Sequence, residues 1–201
     1  MDSTMVAVTR RDRVVAAALH LAADGYDAVH IRTVAELAGV APSTVYQYFS
    51  SKDDLLVAAL HRWLTVCEKD ARAQLHAIGT PYDRLLHVAD FMTERLWAEP
   101  LLAGALTRAY LCTDSVAASN ADQVRSGLSH MLATAMGREH PTLRQRQIGG
   151  LVADIWASTM LAVVQNRATA ADSRSRLART IGVIARHDAL EGLAAAGVRA
   201  V

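Results

Sequence analysis

The sequence is short of several features that would indicate other classes of protein. Among its 201 residues are two cysteines, four prolines and only 5% aromatic residues. Cys67 and Cys112 have no CxxC spacing, which favours reduced thiols in a core over a metal or disulfide framework. The formal net charge is +1, and residues 1–62 hold six basic and seven acidic side chains. Overall charge therefore does not indicate a nucleic-acid partner, and any such function must depend on local placement.

Catalytic motifs and membrane segments are also missing. The eight histidines are scattered without HExxH spacing or a cysteine partner, and there is no GxSxG motif or phosphate-binding glycine loop. No apolar run approaches the length of a membrane span, and the first residues lack a signal-peptide core. We therefore expect a cytoplasmic protein with no enzymatic activity, no cofactor, no metal and no membrane contact.

Alanine, leucine and valine dominate the composition, and apolar residues recur at helical spacing along the whole chain. This predicts an all-α fold of nine helices. Their approximate ranges are 9–24, 32–38, 42–49, 51–67, 81–98, 100–111, 114–137, 141–166 and 172–195. Residues 1–8 are expected to be disordered. We expect two domains, one over residues 1–50 and one over residues 51–201.

Residues 31–52 have the pattern of a helix-turn-helix. Two short helices that cross steeply need a small residue at the crossing, which Ala35 supplies. Their turn needs a residue that tolerates a left-handed backbone, which Gly39 supplies. Val45 and Phe49 are spaced to pack the second helix onto a core. This second helix is therefore predicted to enter the major groove of DNA.

The face of the second helix that is left over carries hydroxyls, phenols and an amide, which can bond to phosphates and base edges. A lysine at the start of the next helix suits a phosphate. The candidate DNA contacts are Arg32, Pro42, Ser43, Thr44, Tyr46, Gln47, Tyr48 and Lys52. Arg10, Arg11 and Arg13 fit either DNA contacts or a solvated tail. Thr44 fits either a contact or a helix cap, and Asp53 and Asp54 fit the helix dipole.

The stretch AELAGVAPSTVYQYFSSKDDLL resembles the DNA-binding motif of the TetR family of transcriptional regulators. The resemblance covers about residues 9–60, and the nine-helix pattern extends it over nearly the whole chain. It implies that the candidate positions above face DNA. It also implies a DNA-binding domain over residues 1–50 and a ligand-binding and dimerisation domain over residues 51–201. The protein is then expected to be a homodimer that reads a palindromic operator and releases it when a small molecule binds.

Residues 100–124 and 154–161 are similar to the KstR-type repressors of sterol catabolism within that family. The inducers of that group are CoA thioesters of sterol-derived acids. The resemblance therefore implies a small hydrophobic effector, in the class of sterol- or fatty-acid-derived acyl-CoA, and a role in lipid catabolism. A shared scaffold with a different inducer is the other interpretation.

Large apolar residues mixed with alanine and methionine in the C-terminal part fit either a core or an effector pocket. The candidate ligand contacts are Trp63, Leu86, Phe91, Met92, Trp97, Leu102, Leu106, Tyr110, Asn120, Trp156 and Met160. Arg108 and Asn166 are further polar candidates, although Arg108 fits an ion pair equally well.

The last two long helices carry apolar surface beyond what one core needs, which predicts a homodimer interface. The residues concerned are Ile148, Gly149, Leu151, Val152, Leu177, Ile181, Val183 and Ile184. Gly149, Gly150 and Gly182 are expected to permit close approach of helices. The sequence thus predicts a dimeric repressor whose effector changes the spacing of its recognition helices. The alternatives are a helical small-molecule carrier without specific DNA binding and a small helical enzyme.

Overall fold

A computed structural model describes residues 9–112, 118–137 and 140–198, without the side chains of Ala118 and residues 192–198. These residues form helices and no strand, as predicted. The helices are α1 (Arg10–Ala22), α2 (Ile31–Ala38), α3 (Pro42–Tyr48), α4 (Lys52–Arg72), α5 (Pro81–Trp97), α6 (Pro100–Leu111), α7 (Ala118–Gly137), α8 (Leu143–Val164) and α9 (Ala170–Val198). Two short 3₁₀ helices, Tyr26–Ala28 and Leu75–Ala77, were not predicted. The predicted disorder of residues 1–8 and the first four residues of the helix predicted over 114–137 lie outside the described residues.

Helix starts follow the capping residues of the sequence. The Thr9 hydroxyl accepts the Asp12 N–H, and the Asp12 carboxylate accepts the Thr9 N–H (both 3.1 Å), a capping box. Thr80 caps α5 ahead of Pro81. Thr142 caps α8 through a box with Gln145, so α8 begins at Leu143 rather than near Pro141. Side-chain caps therefore fix the starts of α1, α5 and α8, whereas α2, α3 and α6 begin without a side-chain cap bond.

The described chain divides into two compact units. The first comprises Met1–Thr65 and Glu99–Val124. In it α1 packs against α2, α3 and α6. Its core residues include Val14, Ala18, Val34, Leu56 and Leu106. The first unit therefore includes α6, which the two-domain prediction assigns to residues 51–201.

The second unit comprises Val66–Ala98 and Arg125–Val201. In it α9 packs against both α5 and α8. Met92, Leu96 and Leu177 are fully buried, and Trp156 is 3% exposed. The Trp156 indole N–H donates to the Thr93 hydroxyl (3.1 Å), which donates to the Ala89 carbonyl (2.7 Å). These two hydrogen bonds satisfy the indole N–H of the buried tryptophan.

Helix α8 is long and apolar enough to cross a membrane by length and composition, with a mean hydropathy of 1.5. The sequence prediction had found no such run. Its buried residues, Ile148, Val152, Ala153 and Trp156, belong to the core of the second unit. A core helix satisfies the same criteria of length and composition as a membrane span.

Candidate nucleic-acid interface

Helices α2 and α3 are joined by a tight turn at Gly39. This residue has φ 63° and ψ 44°, a left-handed conformation that glycine adopts without steric cost. The Gly39 N–H donates to the Glu36 carbonyl (3.1 Å), and the Val40 N–H donates to the Ala35 carbonyl (3.0 Å). These two bonds form a Schellman motif. The turn predicted at Gly39 is confirmed.

Helix α3 buries one side and exposes the other. Val45 is fully buried and Phe49, just after the helix, is 2% exposed. Tyr46 is 61% exposed and Tyr48 is 42% exposed. Pro42, Ser43 and Gln47 are also exposed, and Thr44 is half-buried. The exposed residues form a surface of hydroxyls, one amide and two aromatic rings, which we call the α3 face. Its groups can bond to base edges and contact thymine methyls.

Basic side chains lie beside this face. Arg10, Arg11 and Arg13 are exposed on α1. The Arg11 guanidinium is 5.2 Å from the centroid of the Phe49 ring. Arg13 Nη1 is 3.8 Å from the position that a Cβ would take on Gly39. Arg32 is exposed in the first turn of α2. Local positive charge therefore accompanies the helix-turn-helix, although the chain is nearly neutral.

Lys52, a predicted phosphate contact, lies against an aromatic ring. Its Nζ is 3.9 Å from the centroid of the Tyr26 ring, and the Arg108 guanidinium is 4.0 Å from the same centroid. The Tyr26 hydroxyl donates to Asp53 Oδ1 (2.7 Å). Burial lowers the pKa of Lys52. Burial, followed by the bond to Asp53, raises the pKa of Tyr26 to about 12. Two cations thus contact one neutral phenol. The sequence predicts Tyr26 only as an apolar side chain that returns to the core, and not as the partner of Lys52 and Arg108.

Asn120, predicted as a ligand contact, bonds to the start of α4. Its side-chain amide donates to Asp54 Oδ1 (2.5 Å). The other carboxylate oxygen of Asp54 accepts the Ser50 N–H (2.8 Å), and the Ser51 hydroxyl accepts the Asp54 N–H (3.0 Å). Asp54 is 6% exposed, so these bonds satisfy a buried carboxylate. Asp54 thus holds the segment between α3 and α4 in place.

The candidate ligand residues are divided between the two units. The first unit contains Trp63, Leu102, Leu106, Tyr110 and Asn120. The second contains Leu86, Phe91, Met92, Trp97, Trp156 and Met160. In the second unit Met92, Trp156 and Met160 are buried, while Leu86, Phe91 and Trp97 are half-buried. Burial of this kind fits a packed core as well as a pocket.

Comparison with protein families shows matches over both parts of the chain. Residues 14–59 match the model described as bacterial regulatory proteins, tetR family. Residues 79–184 match the model described as tetracyclin repressor-like, C-terminal domain. The first match contains α2, α3 and the turn at Gly39, and it therefore coincides with the helix-turn-helix.

Individual proteins agree with these matches. The chain is 39% identical over 169 residues to the HTH-type transcriptional repressor KstR of Mycobacterium tuberculosis, covering 84% of this chain and 77% of that protein. A TetR transcriptional regulator from Rhodococcus sp. RHA1 matches with a TM-score of 0.73 and 24% identity, over 87% of this chain and 93% of that one. Thermus thermophilus FadR, solved with lauroyl-CoA, matches with a TM-score of 0.68 and 20% identity, over 85% and 92%.

Proposed function

The chain belongs to the TetR family of bacterial transcriptional regulators, and we propose that it represses transcription as a homodimer on a palindromic operator, in the cytoplasm. The proposed signal for release is an apolar acyl-CoA, derived from a sterol or a fatty acid. Each protomer presents one α3 face, which reads too few bases for specific binding. Two protomers are therefore needed to recognise one operator. The two faces must then lie about 34–36 Å apart, one turn of the DNA helix.

The α3 face is the observation that carries this proposal. Val45 and Phe49 are buried, so the helix cannot rotate to hide its two tyrosines. Tyr46 is 61% exposed, so packing within one chain does not account for its position. Exposed aromatic rings on a short helix are typical of a surface that contacts another molecule. Gln47 lies beside Tyr46 on this surface, and an amide side chain can bond bidentately to adenine. Base-edge contacts, rather than a basic surface, are therefore proposed to supply the specificity.

We expect Tyr46→Ala and Gln47→Ala each to weaken operator binding by about tenfold, the low end of the effect of losing a base contact. Because the side chains are exposed, the midpoint of thermal unfolding should not change. The measurement is fluorescence anisotropy with labelled DNA from upstream of the gene, against a shuffled duplex of the same composition. Binding to the shuffled duplex should fall much less, because phosphate contacts do not read sequence.

Gln74→Ala is the matched control, since Gln74 is an exposed amide outside the helix-turn-helix. Operator affinity of this variant should equal that of the wild type. Wild-type protein that binds operator and shuffled DNA equally would contradict the repressor proposal. That result would favour the helical carrier instead.

Two exposed apolar side chains support dimerisation through α8 and α9. Leu151 and Val183 are each 57% exposed. Leu151 lies thirteen residues before the end of α8, and Val183 lies thirteen residues after the start of α9. In two packed antiparallel helices joined by a short loop, these positions are level. Arg144 of α8 pairs with Asp188 and Glu191 of α9, which agrees with that register.

The dimer surface differs in composition from the sequence prediction. Leu143, at 65% exposed, and Leu190, at 66%, extend the stripe of Leu151 and Val183. The other predicted interface residues are mostly enclosed within the chain itself. Buried there are Ile148, Gly149, Val152, Leu177 and Ile181, and Ile184 is half-buried. The proposed interface therefore consists of Leu143, Leu151, Val183 and Leu190.

We expect Leu151→Glu to raise the dimer dissociation constant by about tenfold or more, because a carboxylate would be buried without a partner. Operator affinity should fall with it, since one α3 face reads too few bases. Sedimentation equilibrium measures the first effect and anisotropy the second. Leu111→Glu on α6, where the leucine is 49% exposed, is the control. Equal dimerisation of both variants would disprove this interface.

The effector proposal is supported by the buried apolar residues Met92 of α5 and Trp156 and Met160 of α8. It is also supported by the lauroyl-CoA bound to the structurally similar FadR. An effector releases DNA only through a higher affinity for the free protein than for the bound one. Titration of the operator complex with lauroyl-CoA, a sterol-acid CoA thioester and free CoA tests it. Release by a thioester but not by free CoA supports the proposal, and release by none contradicts it.

A further inference from the structure

A cavity of about 380 Å³ lies in the second unit where α8 ends and α9 begins. Two alanines line it together with Thr159 of α8 and Asp172, Ser173, Arg176 and Arg179 of α9. None of the apolar residues proposed for the effector lines it, so it is not formed by the proposed acyl-chain contacts.

Two unpaired arginines face this cavity. Arg176 and Arg179 are three residues apart and so lie on the same side of α9. Among the residues that the structure describes, neither guanidinium is within ion-pair distance of a carboxylate. Arg174, by contrast, pairs with Glu94 (2.7 Å) and lies 3.6 Å from Asp90. The positive charge of Arg176 and Arg179 is thus available to a ligand.

Ser173 is a buried polar group without a partner. It lines the cavity and is 2% exposed, and its hydroxyl makes no hydrogen bond. A buried hydroxyl without a bond carries a desolvation cost that a bound acceptor would remove. Ser173 also lies in the first turns of α9, where the helix dipole adds partial positive charge.

The lining also contains one carboxylate, that of Asp172. Oδ2 of Asp172 accepts the Thr169 N–H and the Thr169 hydroxyl (both 2.8 Å). These bonds hold the pKa of Asp172 below its ordinary value, so it stays negative near neutral pH. The two arginines outnumber it, and it partly offsets their attraction for an anion.

We propose that this cavity binds a phosphate group through Arg176, Arg179 and the Ser173 hydroxyl. Guanidinium groups bond bidentately to phosphate oxygens, and phosphate offers enough oxygens for two arginines and a hydroxyl together. The phosphate comes either from a phosphate ester, such as the nucleotide end of CoA, or from a free inorganic anion. Binding of a phosphate ester such as CoA rests on the proposed acyl-CoA effector. Binding of the phosphate group itself does not require DNA.

Isothermal titration calorimetry of the full chain, without DNA, tests this site with three probes: pyrophosphate, adenosine 3′,5′-bisphosphate and CoA. We expect the wild type to bind at least one of them. Arg176→Gln combined with Arg179→Gln should weaken that binding by about tenfold or more. Ser173→Ala should weaken it by several-fold, and Asp172→Asn should tighten it because repulsion is lost. If pyrophosphate binds as tightly as CoA, the ligand is a free anion. If adenosine 3′,5′-bisphosphate and CoA bind more tightly than pyrophosphate, the ligand is a phosphate ester.

Arg186→Gln is the matched control, because Arg186 is an exposed arginine of α9 that does not line the cavity. Its affinity for each probe should equal that of the wild type, and the arginine variants, whose side chains are exposed, should keep the wild-type unfolding midpoint. The proposal is overturned if no probe binds, or if the double variant binds as tightly as the control. Operator binding measured separately on the same variants keeps this result distinct from a failure of the repressor proposal.

Discussion

Replacing Arg84 with leucine should lower the free energy of unfolding by about 3 kcal/mol, because it leaves several buried carbonyls without donors. Arg84 is 7% exposed. Its Nε and Nη2 donate to the carbonyls of Ala135 (2.9 Å) and Met136 (2.6 Å) at the end of α7. Its Nη1 donates to Gly79 (2.8 Å) and Ile78 (3.3 Å) just before α5. The guanidinium thus caps two carbonyls in the last turn of α7.

Thermal unfolding followed by circular dichroism measures this effect, and the midpoint should fall by about 10 °C in a chain of this size. Arg84→Lys should lose less, because the ammonium keeps the charge but cannot reach all four carbonyls. Arg62→Leu is the control, since Arg62 is exposed on α4 and should change stability by less than about 0.5 kcal/mol. Equal loss in the Arg84→Leu and Arg62→Leu variants would contradict the capping role.

The helix-turn-helix could be predicted from sequence because every determinant is local. Gly39, Ala35 and the spacing of Val45 and Phe49 lie within fifteen residues of one another, and helical periodicity decides which of them are buried. The same periodicity identified the exposed α3 face. The TetR resemblance agreed with this local pattern, and the family matches confirmed it.

Contacts between distant residues could not be predicted in the same way. Tyr26, Lys52 and Arg108 are far apart in sequence, and their stacking depends on how α4 and α6 pack beside the 3₁₀ helix Tyr26–Ala28. The sequence offers Asn120 only as a polar group among apolar candidates, which fits a ligand contact. Its partner Asp54 is sixty-six residues away. Local patterns identify the type of side chain but not its partner.

The proposed dimer surface shows a second limit of periodicity. An apolar stripe on a helix predicts burial, but it does not say whether the partner is the same chain or another copy. Helices α8 and α9 have apolar residues on more than one side. The structure buries Ile148 and Leu177 inside the second unit and leaves Leu151 and Val183 exposed. Gly149, predicted to face a partner subunit, packs instead against α7.

Gly149 and Gly150 should therefore respond in opposite directions to the same substitution. A Cβ on Gly149 would lie 2.7 Å from the Ser129 carbonyl oxygen and 2.8 Å from the Ala133 nitrogen, both backbone atoms of α7. Since backbone cannot move aside as a side chain can, Gly149→Ala should cost about 2 kcal/mol through overpacking. A Cβ on Gly150 would meet nothing within 4 Å. Gly150→Ala should instead stabilise the helix by about 0.5–1 kcal/mol.

Urea unfolding of the two variants at one protein concentration provides the comparison, and the difference between their unfolding free energies should be about 2–3 kcal/mol. Each variant is the control for the other, because both replace a glycine of α8 with alanine. The change in composition and in helix propensity is therefore the same. Only the contact with α7 differs. Equal stability of the two variants would mean that α7 and α8 do not approach at Gly149. If Gly149 instead lay at the dimer interface, as the sequence predicts, Gly149→Ala would raise the dimer dissociation constant. Because Gly149 packs against α7, we expect the substitution to lower the stability of each protomer first.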